Sequence, residues 1–246
     1  VACSILSSRM LAPIGQISGI LGRLQQAKVA KKGLDELMAK PVDHPDHAHL
    51  IQKPVLYGHY ELNDVLFKYA EDDPRASLAI AQLQIQAGEK IAILGRNGAG
   101  KSTLLQLLSG MQTPLQGKIK LDGVDLSLLD PSDIRRDMSM LNQNSQLFYG
   151  SIRENLTLGA PLASDEDIFA VLKLTGALDF VQEKKEGLDH MVLEGGFGFS
   201  SGQRHALLLA RTLIRQPNIV LLDEPTASID DVSERQLIQN LQSWLG

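Results

Sequence analysis

Gly95-Arg96-Asn97-Gly98-Ala99-Gly100-Lys101-Ser102 sets glycines, a lysine and a hydroxyl at the spacing of a loop that cradles phosphates. Glycines let successive backbone N–H groups turn toward phosphate oxygens, and a helix begun there presents its positive N-terminal end. Lys101 adds a point charge for the β/γ oxygens, and Ser102 offers a hydroxyl to Mg2+. A second set of oxygens lies far downstream. The apolar run Ile219-Val220-Leu221-Leu222 ends in Asp223-Glu224, two carboxylates at the C-terminal end of a strand, where open α/β sheets bind ligands. Asp223 suits holding Mg2+ through its water shell, and Glu224 suits polarising an attacking water as general base, a contribution of about 10²–10⁴ in rate.

These groups need a scaffold. Ile91-Ala92-Ile93-Leu94 reads as the strand that feeds the loop, and Thr103 to Ser109 as the helix that follows it. Tyr60 to Tyr69 and Gln82 to Gln86 alternate apolar and polar residues with period two, and Gly88-Glu89 supplies a turn. Lys118-Ile119-Lys120-Leu121 with Asp122-Gly123 reads as strand and turn, and Ile219 to Leu222 as a buried parallel strand. Ser164 with Asp167 forms a capping box opening a helix. The stretch from Lys101 to Asp223 is too long for a compact nucleoside kinase and leaves room for an inserted subdomain.

Upstream, apolar residues between Ile14 and Met38 recur at three- and four-residue spacing beside Arg23, Lys28, Lys31 and Lys32, the pattern of an amphipathic helix. Its lysines fit a solvated face or an anionic inner membrane leaflet. Residues 39–54 carry Pro41, Pro45 and Pro54 and read as a linker, in which His44, His47 and His49 are solvated loop histidines rather than a preorganised metal site.

Composition bounds the rest. The 246 residues are 43% hydrophobic and 22% charged, a globular composition that excludes wholesale disorder. Lys+Arg 24 against Asp+Glu 29 gives a net charge of −5, which argues against a nucleic-acid partner held by a basic surface. Cys3 is the sole cysteine, so no internal disulfide forms and a reducing, cytoplasmic setting is favoured. No run of eighteen uncharged apolar residues provides a complete membrane span.

Phe199-Ser200-Ser201-Gly202-Gln203-Arg204 precedes a helical run to Ile214, and with it residues 56–246 resemble the ATP-binding cassette (ABC) family, whose signature is Leu-Ser-Gly-Gly-Gln. Phe199 replaces the usual leucine and Ser201 the first glycine. The resemblance implies an α/β fold: a P-loop NTPase of ABC ATPase type with an antiparallel β subdomain and a helical insertion at about 143–216. It implies ATP and Mg2+ as cofactors, held by Tyr69 against adenine, by the loop Gly95, Arg96, Asn97, Gly98, Ala99, Gly100, Lys101, Ser102 and Thr103, and across a dimer by Ser200, Ser201, Gly202 and Gln203. Tyr69 is equally open to core packing. Gln143 is similar to the family's metal- and water-sensing glutamine, in a register set by Leu147-Phe148 and Gly150 to Asn155 rather than on Gln146; Ser102, Gln143 and Asp223 would hold the metal. Lys101, Gln143 and Glu224 would carry the catalysis.

Glu194-Gly195-Gly196 resembles the exporter loop that touches a membrane domain, and Ser228-Ile229-Asp230 the loop that crosses the dimer interface. Pro13 and the Leu34 to Met38 stretch resemble the end of the last membrane helix and connector of bacterial type I secretion ATPases, exporters of RTX toxins and adhesins. The expected division is therefore 1–40 helix end and connector, 41–55 linker, and 56–246 nucleotide-binding domain, truncated before the family's switch histidine, since no histidine follows Glu224. The implied partners are a second copy through an ATP sandwich, the transmembrane domain of the same exporter, a protein substrate and, indirectly, a periplasmic adaptor and outer-membrane channel, at the cytoplasmic face of the inner membrane. Two rivals stand beside this: an ATP-binding dimerisation module without useful turnover, and a soluble, non-transport cassette protein.

Overall fold

The computed structural model describes residues 2–40, 42, 49–70, 72–227 and 229–244. The chain divides into two units, Val1–Ala48 and His49–Gly246. In the first, helix α1 (Ala2–Met38) begins earlier than the periodicity from Ile14 predicts. Its Ile17, Ile20, Leu21, Leu24, Leu34 and Leu37 are exposed, and Lys31–Asp35 and Lys32–Glu36 pair one turn apart. No described helix is long and apolar enough to cross a membrane. His44 and His47 lie outside the described residues, and among those described no group of three His, Cys, Asp or Glu side chains gathers as a metal site.

The second unit opens with an antiparallel sheet. Strands β1 (Tyr60–Phe67) and β2 (Leu78–Ile85) pair in register Leu62↔Leu83. Next comes helix α2 (Lys101–Leu108), then β3 (Gln116–Leu121) and β4 (Val124–Asp125), giving the order β2-β1-β3-β4. The β3–β4 turn is Asp122 and Gly123, both with positive φ (50° and 79°), the primed turn whose twist matches a hairpin. A bulge falls between Asn63 and Leu66 opposite β3, and there Gly117 at φ +83° is required, since a Cβ would lie 2.3 Å from Asp64 O.

Helix α3 (Pro131–Asp137) leads into β5 (Met138–Leu141), which pairs in parallel with the late strand β8 (Ile219–Leu222), Leu141 opposite Leu222. Between them lies the helical insertion: β6 (Gly150–Ser151), α4 (Ile152–Thr157), α5 (Asp165–Leu174), α6 (Leu178–Gln182), β7 (Met191–Val192) and α7 (Ser201–Leu213). The Ser164 capping box opens α5 as expected. Helix α8 (Asp231–Trp244) ends the described chain.

Two cores result. One joins Leu104, Leu107 and Leu108 of α2 with Leu62, Ile119 and Leu121 of the antiparallel sheet and Met138, Ile219 and Leu221 of the parallel pair. The other gathers Ile152, Leu156, Ile168, Leu172, Leu207 and Leu213 of the insertion with Leu237 and Leu241 of α8.

Residues 51–56 are bolted down. Lys53 N donates to Asp133 Oδ2 and Leu56 N to Asp137 Oδ2, both at 2.7 Å, and Arg136 clamps the two carboxylates from the side. One expectation is corrected: Ile91–Leu94 is not a strand. It pairs with no described strand, and Ile91 and Leu94 are 48% and 92% exposed. An apolar run reports what side chains want to bury, whereas a strand also needs a hydrogen-bonding neighbour, and no described strand pairs with this run.

Candidate functional site

The loop 95–102 is exposed up to Gly100, the N-cap of α2. Gly98 and Gly100 sit at φ +78° and +89°, where L side chains rarely go, and a Cβ on Gly100 would approach Ser77 O and Leu78 Cδ1 at 3.0 Å. Lys101 folds back over the loop, its Nζ donating to Gly95 O at 3.0 Å and Arg96 O at 3.1 Å. Arg96, Asn97 and Ala99 stay on the surface, and Ser102 is half-buried with its hydroxyl free of partners among the described residues. Thr103 is buried, and its Oγ1 lies 3.0 Å from the Tyr69 hydroxyl, which also donates to Gln106 Oε1 at 3.3 Å. Tyr69 is 60% exposed, so it is not core; its edge meets Phe67, centroids 5.0 Å apart.

The parallel register decides the second part. Because Leu141 stands opposite Leu222, the residues that follow leave the sheet side by side: Asn142-Gln143 from β5 and Asp223-Glu224 from β8. Asp223 N extends the ladder by donating to Leu141 O at 2.9 Å. Asp223 is buried, 6% exposed, and its carboxylate takes no partner among the described residues. With no protein donor on it among the described residues, this carboxylate, like the Ser102 hydroxyl, is the type of oxygen ligand that suits a divalent ion. Glu224, with φ +51°, turns out to solvent.

Ser200 caps α7 by a closed box, its Oγ accepting from Gln203 N at 3.1 Å and its N donating to Gln203 Oε1 at 3.0 Å. That occupies Ser200 and Gln203 and leaves the amides of Ser201 and Gly202 without partners among the described residues, at the positive end of a thirteen-residue helix. No described hydrogen bond or ion pair joins Ser200–Gln203 to the loop 95–102 or to Asp223. Phe199 is 6% exposed against Phe180 and His190, with Lys184 Nζ 5.0 Å over its ring, so the aromatic fills a pocket of the insertion.

Glu194-Gly195-Gly196 reaches the Gln143 loop through Gly195 N, which donates to Leu147 O at 3.0 Å. Around the β6–β7 pair, Phe148, Tyr149, Met191, Leu193 and Phe197 are exposed. Ser228 lies outside the described residues; Asp230 caps α8, and its bonds to Ser233 hold its carboxyl below the usual carboxylate range. Two residues escape sequence reasoning. Asn155, 3% exposed, grips Phe148 through N and O, and Arg211 on α7 donates to Gln146 O. The Arg211 role has no motif, because it rests on a contact between elements distant in sequence, whereas Asn155 lies close to Phe148 in the stretch that sets the Gln143 register.

Comparison with known proteins gives three results. The family model described as ABC transporter matches residues 78–227. The chain is 35% identical over 242 residues, 98% of its length, to the leukotoxin translocation ATP-binding protein LktB of Mannheimia glucosida, and equally to that of Bibersteinia trehalosi. It spans 34% of the length of those relatives. Among solved structures, a bacterial Atm1-family ABC exporter with ATP bound superposes with a TM-score of 0.82 at 28% identity, over 90% of this chain and 38% of that one.

Proposed function

Since the chain belongs to the ABC transporter family, whose model matches it over residues 78–227, we propose that it binds MgATP and hydrolyses it as a head-to-tail dimer to power export of a protein substrate by a type I secretion transporter. The observation that carries the reading is the parallel register, by which the segments bearing Gln143 and Asp223-Glu224 both leave the sheet at the same end of adjacent strands.

Each group then has a task. Lys101 exchanges the Gly95 and Arg96 carbonyls for phosphate oxygens, and the loop amides and the α2 N-terminus bind the same charge. Tyr69 stacks on the base. Mg2+ would neutralise phosphate charge, and Ser102, Gln143 and Asp223 are the residues that would hold it. Glu224, exposed and adjacent, accepts the proton of the attacking water. Ser201 and Gly202 offer their open amides to the γ-phosphate held by a second copy, a reading supported by their having no bond to the loop among the described residues.

Export of a protein is supported by the relatives, whose names assign them leukotoxin translocation. The exposed Phe148, Tyr149, Leu193 and Phe197 suit a membrane-domain partner, and the place of work would be the cytoplasmic face of a bacterial inner membrane.

The test is phosphate release against protein concentration, together with Glu224→Gln. A dimeric site gives a specific rate that rises with protein concentration, and Glu224→Gln keeps MgATP affinity within about threefold while turnover falls by about 10² or more. A specific rate independent of concentration would remove the dimer, and undiminished turnover in Glu224→Gln would remove the general base.

A further inference from the structure

Loop 142–149 carries Gln143 from β5 to β6 and is held in few places. Its first half is a turn closed by Ser145 N on Asn142 O at 3.1 Å. Its far end is gripped at Phe148 by Asn155 and at Leu147, a buried side chain whose O accepts from Gly195 N at 3.0 Å. The hold nearest to Gln143 from another element is Arg211 of α7, whose Nη2 donates to Gln146 O at 2.9 Å while the guanidinium carbon lies 5.2 Å from the Phe148 ring centroid.

This arginine is an odd choice for stability. Its Nη1 is buried with no hydrogen-bond partner among the described residues, and no described carboxylate pairs with it. Burial pushes its guanidinium down from the ordinary arginine range. A position in the last turn of α7 favours a cation through the helix dipole, yet an exposed side chain would satisfy that at no desolvation cost. A methionine would fill the same space without burying an unmet donor. What the guanidinium does that an apolar side chain cannot is hold a carbonyl and an aromatic face at once.

We propose that Arg211 is a positioning residue that ties the Gln143 loop to α7, so that a shift of α7 carries Gln143 with it relative to Asp223 and Glu224. The roles of Gln143, Glu224 and the α7 N-terminus rest on the function proposed above. The tether itself does not.

The experiment compares the full chain with Arg211→Met and Arg211→Lys by hydrogen exchange and by ATP turnover. Arg211→Met should speed exchange within 143–147, read at the hydrogen-bonded Ser145 amide, by about fivefold or more while α5 exchanges as before, since a local opening is being made easier. The KM for ATP should stay within about twofold and kcat fall by about tenfold, the pattern of an interaction that matters only in the transition state. Arg211→Lys, which keeps the charge but not the fork, should recover only part of both. Unchanged exchange across 143–147 would overturn the proposal, and so would α5 and α7 loosening as much as the loop, which marks a merely structural role. If the unaltered chain shows no turnover, the proposed function fails, and the exchange comparison still decides the tether.

Discussion

Removing the Tyr69 ring should separate recognition of the base from recognition of the phosphates. The ring is 60% exposed, meets Phe67 edge-on at 84°, and is tied through its hydroxyl to Thr103 and Gln106 of α2, the helix that the phosphate loop opens. It is thus fixed relative to the loop while most of its surface stays available. Base–aromatic stacking is worth about 1–3 kcal/mol, so Tyr69→Ala should weaken ATP and ADP by about 5- to 150-fold. Inorganic triphosphate has no base and should bind as before. The edge contact and the hydroxyl bonds each contribute about 0.5–1.5 kcal/mol to folding, and exposure puts both near the low end, so stability should fall by about 1 kcal/mol. Tyr69→Phe keeps the ring and should stay within about threefold for ATP. Calorimetric titration of the three ligands into the three proteins is the assay. Equal losses for ATP and triphosphate in Tyr69→Ala would show that the tyrosine acts through α2 and the loop. A Phe variant as weak as the Ala variant would show that the hydroxyl tie, not the ring, matters.

Gly100→Ala should cost about 1–2 kcal/mol for the left-handed backbone plus a forced shift away from Ser77 O, and lower ATP affinity at least tenfold; Gly98→Ala, with nothing within 4 Å, should cost only the backbone part, as denaturant unfolding and ATP titration will read. Asp137→Asn should destabilise the chain by about 1–3 kcal/mol at pH 7 through its bonds to Leu56 N and Arg136. Arg136 holds this carboxyl below the usual range, so its stabilisation is complete above an unfolded value of about 3.9 and lost as pH falls through the lower folded one; urea midpoints of the two proteins should converge only in that acid window. Glu224→Gly should unfold at no lower a denaturant midpoint than Glu224→Gln, because a left-handed φ strains the longer residue by about 1 kcal/mol, while both lose turnover; a clearly lower midpoint would mean the turn is unstrained.

Motifs carried in a single stretch were legible. The phosphate loop, the primed turn at Asp122-Gly123, the Ser164 box and the run 219–222 each follow from local chemistry, and the structure places them as glycine cradle, hairpin, helix start and parallel strand. Features that need a partner were not. Ile91–Leu94 has the composition of a buried strand and stays bare, because composition does not supply a ladder. Residues 51–54 read as linker for want of apolar anchors, yet Asp133 and Asp137, some eighty positions away, hold the amides of Lys53 and of the nearby Leu56. Phe199 stands where the family signature has leucine, and only the structure shows why an aromatic fits there: Phe180, Lys184 and His190 surround its ring.

The adjacent carboxylates show how one backbone step divides two tasks. Asp223 still belongs to the sheet: its amide extends the β5–β8 ladder, and its side chain stays buried without a partner. One residue on, the left-handed φ of Glu224 breaks the ladder, and Ala227 N closes the turn on Glu224 O at 3.2 Å. The second carboxylate is thereby delivered to solvent. A buried, unpaired acid gains most from a cation, and an exposed acid is within reach of water. The strain at Glu224 is therefore what gives two chemically similar side chains different environments, and those environments suit the two roles proposed above.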